Sequence, residues 1–235
     1  MSLTGETPVD IPSEPADGAG APEQVAASLY AHHLFAARHL AELACELEKE
    51  YAGAGVDAEV SRRHRAYVSG TVLSAAAFLE ASINELYLEV QGHLANGSGV
   101  GRQRVLAVPA HFWSSAGKPP VLHKYQLALV VADAEPYDEG RSPFREADGL
   151  IALRDALVHG RPEWRDSHGR RQNLERRLRG KFPHNAFAIE GDPEFPDRML
   201  GAGCAMWAVR VAEKFSDDFC HRMGIPSRVM NSPDR

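Results

Sequence analysis

A helical repeat of apolar residues runs from about Val56 to Leu94. Its members recur at steps of three and four residues, which places them on one stripe of an α-helix. They are Val68, Val72, Ala75, Leu79, Ile83, Leu86 and Val90. Gly97 and Gly99 end the pattern. The repeat predicts a long helix with one buried face, and it favours an all-α fold.

The same period predicts the other main helices, over about 24–51, 122–132, 143–159 and 198–223. The first is expected to bury Val25, Leu29, Ala36, Leu40, Leu43 and Leu47. The last is expected to bury Ala202, Ala205, Val209, Ala212, Phe215 and Phe219. Short helices are predicted within 105–113 and 172–178. Strand-like alternation is weak and confined to residues 187–189. We therefore expect an all-α bundle of four to five main helices.

Small residues form a second row on the long helix, beside its apolar stripe. Gly70, Ser74, Ala77 and Ala81 recur at steps of four, three and four. Small side chains would let another helix approach closely, either from the same chain or from a partner subunit. We expect the approaching helix to belong to a partner subunit.

Composition indicates one domain with two tails. The chain has 235 residues, 44% of them hydrophobic, enough for a single domain over residues 24–225. Residues 1–23 carry five acids and no base and are rich in Pro, Gly, Ala and Ser, which predicts a disordered acidic tail. Residues 226–235 form a C-terminal tail. Without the first tail the net charge of −6 falls to about −1.

Cysteine use and hydropathy indicate a cytoplasmic protein. The three cysteines, Cys45, Cys204 and Cys220, form no close pair and leave one over, so a disulfide framework is not expected. We see neither a signal peptide nor an apolar run of about 20 residues, and we expect no membrane span.

The segment from Arg154 to His159 is the most informative for function. It places a permanent cation, the carboxylate of Asp155 and a titratable imidazole at the end of a predicted helix, which Gly160 and Pro162 terminate. Arg is well suited to holding a phosphate, and His is the side chain whose unperturbed pKa is nearest neutrality. Together they suggest chemistry on a phosphodiester without a metal or other cofactor.

The spacing of the three side chains limits how they can act. Asp155 and His159 are four residues apart and share a helical face, so the carboxylate could hold the imidazole in one tautomer. Arg154 is five residues from His159 and lies roughly 140° round the helix. The two would converge if the last turn is distorted, or if two subunits pool their motifs about a twofold axis. We favour the second.

With this motif the chain resembles the HEPN superfamily (higher eukaryotes and prokaryotes nucleotide-binding). Arg, a polar residue, three further residues and His near a helix end is that family's signature. The segment Ser74–Tyr87, which includes Leu79-Glu80-Ala81 and Asn84, also looks like the family's second helix. The two segments occur in the expected order, and the resemblance spans about residues 24–223.

The resemblance implies a four- to five-helix domain that dimerises and cuts RNA without a metal. Arg154 would stabilise the phosphate in the transition state, His159 would move the proton of the ribose 2′-OH, and Asp155 occupies the polar position after the Arg. RNA and a second copy of the chain would be the partners. A toxin or host-defence role, with an antitoxin protein as a further partner, fits such a ribonuclease.

Three further groups of residues have both a functional and a structural interpretation. Glu80 and Asn84 would either support the site or make hydrogen bonds across helices. The segment 161–181 has eight bases and three acids, which suits RNA, although Arg outnumbers Lys 21 to 5 throughout the chain. The predicted RNA contacts there are Arg161, Arg165, Arg170, Arg171, Arg176 and Arg177. Arg154 itself could simply pair with Asp148 or Glu146.

Two classes of function therefore remain open from the sequence. The first is the metal-independent endoribonuclease. The second is a non-catalytic helical module that binds RNA, nucleotide or a protein partner and keeps the motif for structure. Eleven histidines raise the question of a metal, but His32, His33 and His39 lack the spacing of a metal-binding motif, so none is expected.

Overall fold

The structure is a computed structural model that describes residues 28–95, 119–159 and 168–230. Side chains are described for residues 28–90, 119–159 and 171–230. The helices are α1 (Leu29–Glu50), α2 (Ala58–Ala95), α3 (Val121–Val131), α4 (Phe144–His159), α5 (His168–Leu178) and α6 (Ala202–Met223), with a π-helical turn at Glu194–Arg198. These ranges contain no β-strand, so the prediction of an all-α protein is confirmed for them.

The core is built around α2, which packs against α1, α4 and α6. All seven residues of the stripe predicted on α2 are buried, and so are all six predicted on α6. Aromatic rings fill the centre of the core. Tyr125 of α3 makes edge-to-face contacts with Phe215 and Phe219 of α6 at centroid distances of 4.9 and 4.7 Å. Edge-to-face contact is a favoured geometry for aromatic pairs.

The stripe predicted on α1 was wrong at four of its six residues: Leu47 is buried as predicted, and Val25 lies outside the described residues. Leu29 is 57% exposed, and Ala36, Leu40 and Leu43 are only half-buried. The buried stripe lies on a neighbouring face and consists of Ala31, Leu34, Ala37, Ala41, Ala44 and Leu47. Four of these six are alanines, and small side chains let α1 approach its neighbours closely. Close approach therefore decided the orientation of the helix, although both stripes are apolar.

The row of small residues on α2 is approached by α1 of the same chain. A Cβ added at Gly70 would lie 2.9 Å from Leu40 Cδ1, closer than van der Waals contact allows. Further along α2, Glu85 accepts hydrogen bonds from the Tyr30 amide and the Ser28 hydroxyl at the start of α1. The row thus serves packing within the chain at Gly70, and it gives no argument for a partner subunit there.

The segment between α5 and α6 lies directly on the first turn of α6. A Cβ at Gly201 would lie 2.4 Å from Asn185 Cα, and one at Gly203 would lie 2.5 Å from Pro183 Cγ. Only glycine tolerates backbone contacts this close. Residues 187–189, where the alternation was weak, form no strand.

The described part of the C-terminal tail packs on the body of the protein. Arg228 is 8% exposed, its guanidinium lies 4.8 Å from the Tyr30 ring centroid, and its Nη2 lies 2.7 Å from Glu89 Oε2. These contacts tie residues 225–230 to α1 and α2.

By length and composition alone, residues 58–90 of α2 would qualify as a membrane span. The sequence analysis had found no such run. Half of the apolar window is buried against other parts of the chain, and the core helix of a soluble protein passes the same test.

Candidate active site

The motif predicted to be functional lies on the last two turns of α4, which is helical through His159. Arg145 N–H and Ala147 N–H donate to the carbonyls of Arg141 and Pro143, so the helix begins just after Pro143, as predicted. Gly160 and Pro162, the predicted stop, lie outside the described residues.

Arg154 is half-buried and forms two ion pairs within the chain. Its Nη1 lies 3.0 Å from Asp155 Oδ1, and its Nη2 lies 3.7 Å from Glu80 Oε2 on α2. The side chain of Arg154 is 25% exposed, while the carboxylates of Glu80 and Asp155 are 40% and 51% exposed. Solvent can therefore reach the guanidinium and both of its partners.

Lys124 of α3 joins this group and was missed by the sequence analysis. Its side chain is 5% exposed, its Nζ donates to Asn84 Oδ1 at 2.8 Å, and it lies 3.9 Å from Glu80 Oε1. We call Glu80, Asn84, Lys124, Arg154 and Asp155 the polar cluster. A signal was present in the sequence, because Lys124 is the one Lys, Arg, Asp or Glu in a mostly apolar helix, and such a residue is rarely buried without a partner.

His159 makes no hydrogen bond or ion pair with the polar cluster, although Asp155 lies one helical turn before it. Its side chain is exposed, and no described residue hydrogen-bonds to its imidazole. The expected bond from Asp155 is not formed, because Asp155 pairs with Arg154 instead. Since α4 is helical to its end, His159 and Arg154 point roughly 140° apart. The distorted last turn that would bring them together within one chain is not observed.

The partners suggested for Arg154 by a purely structural interpretation are engaged elsewhere. Asp148 Oδ2 lies 3.0 Å from Arg177 Nη1. Glu146 accepts from the Ser142 hydroxyl at 2.8 Å and lies within 4 Å of Lys181 and Lys214. Arg154 pairs instead with Glu80 on α2, so its side chain connects α4 to α2.

The predicted RNA contacts are only partly described. The structure does not describe Arg161, Arg165 or the side chain of Arg170. Arg171 pairs with Glu175 at 3.0 Å and donates to the Phe195 carbonyl. Arg177 pairs with Asp148, while Arg176 is exposed and donates to Asn173 Oδ1 at 3.0 Å.

An exposed row of mostly apolar and small residues runs along α2 through Glu80 and Asn84. We call Leu73, Ala77, Glu80, Ala81, Asn84 and Leu88 the outer stripe of α2; they recur at steps of one, three and four residues. Leu73 is 39% exposed and Leu88 is 64% exposed. On α4, Val158 beside His159 is 53% exposed. Leu88 and Val158 are one helical turn from Asn84 and Arg154, so exposed apolar side chains lie on the same helices as members of the polar cluster.

Apart from the buried Lys124, the polar cluster is open to solvent. An open groove of about 530 Å³ lies elsewhere on α2, along Ala58, Ser61, Arg62, Arg65, Ala66 and Ser69. Ser69 precedes Glu80 by 11 residues, roughly 16 Å along the helix. Among the described residues, no group of three or more His, Cys, Asp or Glu side chains is arranged to hold a metal ion.

The chain matches no protein-family model, no curated protein and no solved structure. Any functional assignment therefore depends on the residues and geometry described above.

Proposed function

We propose that the chain is a metal-independent endoribonuclease of the HEPN type that acts as a homodimer. The observation that carries the proposal is the pair of solvent-accessible groups, Arg154 and His159, on one regular helix beside an uncovered apolar stripe. The family resemblance of the motif and of Ser74–Tyr87 supplies the reaction.

The chemistry needs only proton transfer and charge stabilisation, because RNA carries its own nucleophile. As the ribose 2′-OH attacks the adjacent phosphorus, His159 accepts its proton, the 2′-O–P bond forms and the P–O5′ bond breaks. A protonated imidazole returns a proton to the leaving 5′ oxygen. Arg154 stabilises the negative charge that builds on the phosphoryl oxygens. The products are a 2′,3′-cyclic phosphate and a 5′-hydroxyl.

A second copy of the chain would bring the Arg of one subunit to the His of the other. Within one subunit these side chains point apart, so a single α4 cannot direct both at one phosphate. The outer stripe of α2 and Val158 form an uncovered apolar surface next to Arg154, and exposed apolar patches are typical of subunit interfaces. A twofold contact on this surface would place the two copies of α4 together.

The ion pairs of Arg154 are compatible with this role. Both partner carboxylates are 40% or more exposed, and exposed pairs of this kind stabilise a fold by only about 0–1 kcal/mol. A phosphate could therefore displace Glu80 or Asp155 from the guanidinium at low cost.

The pairing of Arg154 within one chain also favours a second candidate, a non-catalytic helical module. In that case Arg154 ties α4 to α2 through Glu80, and the surface binds RNA, nucleotide or a protein partner without cleavage. Substitutions in the motif would then change stability or binding only.

Incubation of purified protein with RNA in EDTA tests the proposal. We expect cleavage that Arg154→Ala and His159→Ala abolish while the Tm changes by less than about 4 °C, since only exposed contacts are removed. Arg145→Ala on α4 and His221→Ala on α6, both exposed, are the matched controls and should cleave normally. Wild-type protein that never cleaves RNA, with motif variants that change only stability or binding, would favour the module.

The same proposal assigns the chain to the cytoplasm as a toxin or defence effector restrained by an antitoxin protein. Induced expression in a bacterial host should arrest growth, and His159→Ala should relieve the arrest. Growth unaffected by the wild type would argue against a toxin without bearing on cleavage in vitro.

A further inference from the structure

Lys124 makes a hydrogen bond in the polar cluster that determines the orientation of the Asn84 side chain. An ammonium group has three donors and no acceptor, so it can bond only to the oxygen of an amide side chain. The contact of 2.8 Å between Lys124 Nζ and the Asn84 side chain therefore requires Oδ1 to face the lysine. The Nδ2 of Asn84, with its two N–H donors, then faces away from α3. Asn84 is exposed on the outer stripe of α2.

The position of Lys124 is itself fixed by the packing of α3 on α2. The Tyr87 hydroxyl donates to the Lys124 carbonyl at 3.0 Å, and the Tyr125 hydroxyl donates to the Leu79 carbonyl at 2.7 Å. Both tyrosines are buried. With its carbonyl bonded to Tyr87, the next residue anchored on α2 and its side chain 5% exposed, Lys124 has little freedom to move away from Asn84.

Asn84 lies next to the groups that would meet a phosphate. It is one helical turn from Glu80, whose Oε2 lies 3.7 Å from Arg154 Nη2 and whose Oε1 lies 3.9 Å from Lys124 Nζ. An anion that displaces Glu80 from Arg154 would therefore approach the outward N–H groups of Asn84 as well as the guanidinium.

The geometry points to Lys124 as a positioning residue that holds the Asn84 amide with its N–H donors toward a phosphate bound by Arg154. Asn84 thus contacts the phosphate, and Lys124 acts through Asn84. The inference rests on the proposed function in taking that phosphate to belong to RNA. It adds Lys124 of α3 to the site and gives Asn84 of α2, predicted to support the site, a direct contact with the phosphate.

The test is the affinity for an RNA oligonucleotide with 2′-O-methyl groups throughout, which cannot be cut by 2′-OH attack. Asn84→Asp keeps the size of the side chain and its bond to Lys124, but it removes both N–H donors and adds a negative charge. We expect it to weaken binding about tenfold to a hundredfold, as for loss of a hydrogen bond to a charged group, with the Tm unchanged or raised.

Lys124→Met tests whether Lys124 orients the Asn84 side chain or only stabilises the fold. Methionine fills a similar volume, and the groups that lose Lys124, Asn84 and Glu80, are exposed enough for water to take its place. The expected result is binding weakened about fivefold to tenfold at an unchanged or higher Tm. The double variant Lys124→Met/Asn84→Ala should bind no more weakly than Asn84→Ala alone, because Lys124 acts through Asn84. Lys214→Met, at an exposed lysine of α6, is the control and should bind as the wild type does.

Each outcome decides the inference. Normal binding by Asn84→Asp would overturn it, as would additive losses in the double variant or a fall in Tm that accounts for the weaker binding of Lys124→Met. A wild type that binds the oligonucleotide but never cleaves natural RNA would leave this inference standing and reject the ribonuclease. A wild type that binds no RNA would overturn both.

Discussion

Glu48 joins three parts of the fold, so its removal should destabilise the protein strongly. Its Oε1 lies 2.9 Å from Nε2 of His64, which is 2% exposed, and accepts the amide N–H of Ala202 at the start of α6 at 2.8 Å. Phe187 packs on the His64 ring at a centroid distance of 4.7 Å. Glu48 thus links α1 to α2 and to the first turn of α6.

The size of the effect follows from the groups that lose a partner in Glu48→Ala. A buried imidazole nitrogen left unpaired costs about 1–3 kcal/mol, and loss of the carboxylate at the α6 N-terminus costs about 0.5–2 kcal/mol. Water can reach the site in part, because the Glu48 side chain is 17% exposed. We therefore expect a loss of about 2–4 kcal/mol, which lowers the Tm by about 4–16 °C for a chain of this size.

Differential scanning calorimetry of Glu48→Ala measures this loss. Glu46→Ala, at an exposed position on the same helix, should leave the Tm within about 2 °C of the wild type, since surface substitutions change stability by about 0.5 kcal/mol or less. A Tm for Glu48→Ala within the same range would refute the reasoning.

The remaining predictions concern pH, packing, the C-terminus and the subunit interface. Burial alone would raise the pKa of Glu48, but the hydrogen bonds from His64 and the Ala202 amide lower it below 4.5. The stability that the lowered pKa adds is complete above pH 4.5 and is lost as the pH falls through the folded-state pKa of Glu48. The difference in Tm between the wild type and Glu48→Gln should therefore become smaller in acid. A difference that stays constant with pH would contradict this prediction. Gly201→Ala should lower the free energy of unfolding, measured by urea denaturation, by about 1–3 kcal/mol, because the new Cβ would collide with the Asn185 backbone. Arg228→Ala removes the ion pair with Glu89 and the contact with the Tyr30 ring. It should lower the free energy of unfolding in the same assay by about 1–3 kcal/mol. Leu88→Glu should give monomers in sedimentation velocity and abolish RNA cleavage at an unchanged Tm; active dimers would place the interface elsewhere.

The buried faces of α2 and α6 were predicted correctly from the sequence, because every residue of both predicted stripes is buried. Large apolar residues also occur elsewhere on α2, where Leu73 and Leu88 are exposed. On α1 alanine occurs on several faces, and the stripe with more of the larger side chains is only partly buried, although its Leu40 contacts Gly70 of α2. Which face of α1 is buried depends on how the helix packs on its neighbours, and periodicity along one helix does not contain that information.

The candidate site was predictable only in its local part. Spacing along α4 identified Arg154, Asp155 and His159, and spacing along α2 placed Glu80 and Asn84 on one face. The ion pair from Arg154 to Glu80 and the hydrogen bond from Lys124 to Asn84 depend on how α2, α3 and α4 pack, which the sequence does not state. The expected hydrogen bond, in which the His159 imidazole N–H would donate to Asp155, is not formed; the Asp155 carboxylate pairs with the permanent charge of Arg154 at 3.0 Å instead.

The chemistry of the RNA ends tests the central claim most directly. An RNA oligonucleotide incubated with the protein in EDTA can be analysed by mass spectrometry, beside the same sequence with one 2′-deoxy residue at the cleaved position. The proposed mechanism predicts a 2′,3′-cyclic phosphate and a 5′-hydroxyl from the RNA, and no cleavage at the deoxy position. Products with a 3′-hydroxyl and a 5′-phosphate, or cleavage at the deoxy position, would contradict it.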